Sequence, residues 1–76
     1  MEHIKLIWDF RGPSSKHTAE HHCIHLKEFA TIEKLPYSEI GTTLISEMHC
    51  IAFIIVPKSH MIPYRDALKP HRGQLA

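Results

Sequence analysis

Seventy-six residues with a formal charge of +1, 43% hydrophobic and 22% charged, are enough for one small domain; they exclude a two-domain enzyme and a disordered chain. Two cysteines are too few to staple a secreted mini-protein, no apolar run approaches the roughly 20 residues of a membrane span, and a charge near zero argues against nucleic acid as a partner. Because Glu2, Lys5, Asp9 and Arg11 replace an apolar leader core, the expectation is a single cytoplasmic domain over residues 1–76 with free thiols.

From His3 to Phe10 the residues alternate, with Ile4, Leu6, Trp8 and Phe10 on one face and His3, Lys5, Ile7 and Asp9 on the other. That period of two predicts a strand. Gly12-Pro13 breaks it, and the hydroxyls of Ser14 and Ser15 are placed to cap a following helix. Between Ser15 and Leu35, Ala19, Cys23, Leu26, Phe29 and Ala30 recur at spacings of three and four, so one helical stripe faces a core. Leu35-Pro36 ends the pattern, because the residue before a proline is pushed out of the α region. Ile40 to Glu47, rich in β-branched residues, and Met48 to Val56, the densest apolar run, predict an antiparallel strand pair turning near Ser46 to His49. Ser59 is placed to cap a second helix with Met61, Tyr64 and Leu68 in its stripe and Pro63 in its first turn. Lys69-Pro70 stops that helix. The remaining His71 to Ala76 is either a flexible tail or a short edge strand.

The order β-α-β-β-α predicts an α+β fold, an antiparallel sheet with two helices on one face. In that order the chain resembles the small ferredoxin-like and dimeric α+β-barrel proteins, with the last strand missing or vestigial. The Met-x-Cys-x-x-Cys metal loop and the arginine-bearing Gly-rich loop found in some of those proteins are absent, so their activities are not implied. The third strand is apolar at both parities, with Cys50, Ala52, Ile54 and Val56 on one side and His49, Ile51, Phe53 and Ile55 on the other, so whichever set meets the helices the other sheet face shows large apolar side chains, Ile7, Ile51, Phe53 and Ile55 being the candidate interface set. A bare apolar patch marks an interface. The first functional expectation is therefore a homodimer joined through that face, acting as a ligand-binding or interaction module.

Eight histidines are the compositional anomaly. His17, His21 and His25 lie four apart on the polar side of the first helix, with Glu28 one turn further on. Imidazoles at i and i+4 chelate zinc, nickel or copper, so a metal-binding protein is the second expectation, although no resident cofactor is demanded by any motif. His22 lies on the flank of the apolar stripe and, with His60, is a candidate for a cleft. A third expectation is a small enzyme using a histidine as general base beside an anion site at the first loop, where Arg11, Ser14, Ser15 and Lys16 surround a helix N-terminus. Cys23 and Cys50 occupy apolar positions and read as buried, inert thiols.

Overall fold

The computed structural model describes residues 2–76. Their elements run β1 (His3–Arg11), α1 (Ser15–Ile32), β2 (Glu39–Ser46), β3 (His49–Pro57), a 3-10 turn (Lys58–His60), α2 (Met61–Leu68) and β4 (Arg72–Leu75). This is an α+β chain with one four-stranded antiparallel sheet in the order β2-β3-β1-β4. The C-terminal segment, left open between a tail and an edge strand, pairs along Ile4 to Ile7 of β1, with Leu6 opposite Gly73 and Ile7 opposite Arg72. The fourth strand is thus short but present.

The alternation expected of β1 decides which face is which. Leu6 and Trp8 pack with Ile54 and Val56 of β3, Leu26 and Ala30 of α1 and Tyr64 of α2, so both helices cover the even-numbered face. Two polar side chains tie α2 to the α1–β2 connection and to the sheet by donating to backbone carbonyls. The Tyr64 hydroxyl donates to Leu35 O and Pro36 O, and the Trp8 indole N–H donates to Leu68 O at 2.9 Å. Burial pushes the Tyr64 phenol up to about 12, aided by Tyr37, so it stays a donor.

On the opposite face Ile7, Ile51 and Phe53 form a second cluster, with Ile55 packed against it. They are only 2%, 5% and 7% exposed, so the bare patch expected there is not what this face presents. The cover is local. The Phe53 ring lies over Gly41, where a Cβ would sit 3.1 Å from the ring, and Lys5 Nζ stands 4.4 Å above the same ring, a cation–π contact. Arg72 stands across from Ile7.

Helix capping also departs from expectation. Neither Ser14 nor Ser59 makes a side-chain cap. Instead the Ser14 carbonyl accepts from the Thr18 N–H and hydroxyl, and Ser59 Oγ meets its neighbour His60 Nδ1. The stop of α1 comes earlier than the proline, at Ile32. Lys34 adopts a left-handed φ of 55°, and Leu35 N–H and Lys34 N–H return to Ala30 O and Thr31 O, the paired bonds of a Schellman motif.

Candidate functional site

Three side chains, one from each of three strands, meet at one end of the face away from the helices. Asp9 is an odd-numbered residue of β1, which points it away from the helices. The β1–β3 register sets Arg11 across from His49 and Asp9 across from Ile51, so His49 lies diagonal to Asp9 on the same face. The β1–β4 register brings Arg72 up on the other side.

His49 Nε2 donates to Asp9 Oδ1 at 2.8 Å. Arg72 forks onto the same carboxylate, Nε to Oδ2 at 3.1 Å and Nη2 to Oδ1 at 3.2 Å. Burial alone would raise the Asp9 carboxyl, but the hydrogen bonds from His49 and Arg72, with their charge, outweigh it and hold Asp9 below the usual carboxylate range. The Asp9 backbone N–H donates to His71 Nδ1 at 2.8 Å, and the His71 N–H donates to Ile7 O. His71 therefore carries its ring proton on Nε2 and links the sheet edge to the carboxylate cluster.

The chemistry follows from which lone pairs and protons are spent. Both Asp9 oxygens accept bonds from within the cluster, and the donors left beside them are the remaining guanidinium protons of half-exposed Arg72, the exposed Arg11 and the Nε2–H of His71. With Nε2 donating to a carboxylate, neutral His49 keeps its lone pair on Nδ1, the arrangement that orients an imidazole as a base.

His22 sits on the other side of the sheet, its ring 4.8 Å from Trp8 and 5.5 Å from Phe10. Its Nε2 is buried without a partner among the described residues. Burial, then the nearby His25 and His71, lower its pKa. His60 belongs to the opposite end of the molecule, at the start of α2, so the proposed His22–His60 cleft does not form.

The remaining candidates separate in the same way. Of the anion group only Arg11 adjoins the Asp9 cluster; Ser14 and Lys16 are exposed, and the Ser15 hydroxyl is buried without a partner among the described residues. On α1, His21 and His25 touch edge to face at 4.7 Å and His25 Nδ1 lies 3.5 Å from Glu28 Oε1, while His17 is exposed. No group of three or more His, Cys, Asp or Glu among the described residues could hold a metal ion. Cys50 is buried, and Cys23 is half-buried with its thiol donating to Gly41 O and its pKa raised by burial, as inert thiols should be.

Asp9, His49 and Arg72 were each visible in the sequence, but no spacing ties them together. The parity of β1 gives the face of Asp9; the partners come only from strand register. Compared with known proteins, the chain matches no protein-family model, no curated sequence and no solved structure.

Proposed function

We propose that this is a ferredoxin-like binding module whose site is the Asp9 cluster and whose ligand is a small oxyanion, a carboxylate or a phosphate. The strand order β2-β3-β1-β4 with both helices on one face supports the ferredoxin-like assignment. The observation that carries the ligand class is the two-point fork of Arg72 on Asp9, beside the His49 bond. It fixes a guanidinium and an imidazole in place before any ligand arrives, which lowers the ordering cost of binding, and it leaves the remaining guanidinium protons of Arg72 free to donate beside Arg11. Charge-assisted bonds of this kind contribute about 1.5 to 3 kcal/mol each.

Titration of isotope-labelled protein with inorganic phosphate, and separately with acetate, tests the reading. Saturable shifts should gather at Arg11, His49, His71 and Arg72, and Arg72→Ala and Arg11→Ala should each weaken binding about tenfold or more, since about 1.4 kcal/mol is a factor of ten. Lys27→Ala should leave it unchanged. Shifts that spread over the surface and never saturate would dismiss the site. The oriented imidazole also serves a general base, so hydrolysis of an activated ester that is lost in His49→Gln would make the module an enzyme.

A second reading, capture of zinc, nickel or copper, draws on the His21–His25 contact and on Glu28 beside it. A two-point chelate on one turn of helix predicts weak binding, abolished by His21→Ala and untouched by His3→Ala, as calorimetry on tag-free protein would show.

A further inference from the structure

We infer that the β2 edge is the docking surface for a second copy of this chain, and that the two copies join strand to strand into one continuous eight-stranded sheet. The two edges of the sheet differ. β4 is four residues long and carries an arginine and a glycine, features that blunt an edge. β2 is eight residues long, holds no lysine, arginine or proline, and presents an unpaired backbone along its outer side. Its one irregularity is a bulge at Ile45.

The apolar surface gathers on the same side. Six of the eight large hydrophobic side chains exposed among the described residues are Ile24, Ile32, Tyr37, Leu44, Ile45 and Met48. They lie on the outer flank of α1, the α1–β2 connection, the end of β2 and the turn after it. Ile24 and Lys27 line one cleft with Tyr37 and Ile40, so helix flank and strand edge form a single surface. Ile24 is 57% and Leu44 58% exposed in the single chain.

A second copy fits this surface by symmetry and register. A two-fold axis perpendicular to the sheet pairs β2 with itself antiparallel and keeps both pairs of helices on the same side. Residues facing each other must then share a face, so the axis passes through a single residue. Centred on Thr42, it sets Ile40 against the partner's Leu44, and Leu44 against the partner's Ile40. Centring on Gly41 or Thr43 instead faces Leu44 with serine or threonine. Glu39, the only charge in β2, then meets no charge, and the helix flank carries both Lys27 and Glu28, so the repeat opposes no net charge. An eight-residue strand runs about 26 Å, along a molecule of 35 × 24 × 19 Å. Edge and flank together cover one whole side, the scale of the roughly 800 Å² per partner that a stable interface buries.

Sedimentation equilibrium at tens of micromolar should show a dimer for the wild type and for Ile62→Glu, which lies on α2. Leu44→Glu and Ile24→Glu should be monomers with unchanged circular dichroism, because both side chains are exposed in the single chain. Thr42→Cys should cross-link between chains under mild oxidation while the wild-type cysteines do not, since facing Cα atoms about 4.5 to 5.5 Å apart lie within disulfide reach. A monomeric wild type would overturn the proposal. So would a dimer that survives Leu44→Glu and leaves Thr42→Cys unlinked, which would place the partner on another face. Neither outcome bears on the Asp9 site.

Discussion

Asp9 is held between a permanent cation and an imidazole, and its titration is tied to folding. Its carboxyl is lowered in the folded chain, so the cluster's contribution is complete above the unfolded carboxylate value of about 4 and is lost as pH falls through the folded one. Urea unfolding between pH 5 and 2 should show this acid loss, and Asp9→Asn should flatten it while costing about 1 to 3 kcal/mol at pH 7. An acid limb unchanged in the variant would mean that the contacts do not survive in solution. His22 behaves in the opposite chemical sense with the same direction in pH. Its pKa is lowered, so the unfolded chain takes up the proton first as pH drops below about 6.5, and stability falls between roughly pH 7 and 5. His22→Leu should flatten that loss and change stability at pH 7 by no more than about 1 kcal/mol, because it removes a nitrogen that has no partner among the described residues. Denaturation midpoints at the two pH values decide it; an equal slope in both proteins would put the ring in water.

At the level of elements, the end of α1 is the place where backbone and side chain disagree. A lysine occupies the left-handed position that glycine fills without steric cost. Lys34→Gly should therefore stabilise by about 1 kcal/mol, raising the melting temperature by some 4 to 8 °C on a domain of this size, measurable by calorimetry; a lower melting temperature would show that the lysine side chain offsets the strain. The elements that could be read from the sequence are those whose burial imprints a period: Ile4, Leu6, Trp8 and Phe10 for β1, and Ala19, Leu26 and Ala30 for α1. The strand Arg72–Leu75 imprints none. It is exposed at every position, joins the sheet through its backbone and the Arg72 side chain, and so has no apolar alternation to find. The capping residues misled for a related reason, since Ser14 offers its carbonyl and not its hydroxyl, a choice that depends on loop geometry.

The whole molecule depends on that last, illegible strand more than its length implies. Without residues 71–76, β1 becomes an edge, the backbone of Ile4 to Ile7 loses its β4 partners and Asp9 loses both Arg72 and His71. The truncated chain should no longer unfold cooperatively at 25 °C by circular dichroism; an unchanged midpoint would make β4 an accessory. The candidate site was hidden from the sequence by the same topology. His49 and Arg72 lie 40 and 63 positions from Asp9 along the chain, and only the pairing of β3 and β4 on either side of β1 brings them together. The opposite face holds the single tryptophan of the chain, buried where three elements meet: Trp8 belongs to β1, donates to the last residue of α2 and lies against His22 of α1. Its fluorescence is consequently a built-in gauge of the assembled core. Emission should be blue-shifted in the native protein, move to the red when α2 lifts from the sheet, and dim on acidification before any unfolding as a charged imidazole beside the indole quenches it. A single optical titration would thus separate protonation of His22 from collapse of the fold, with no label added.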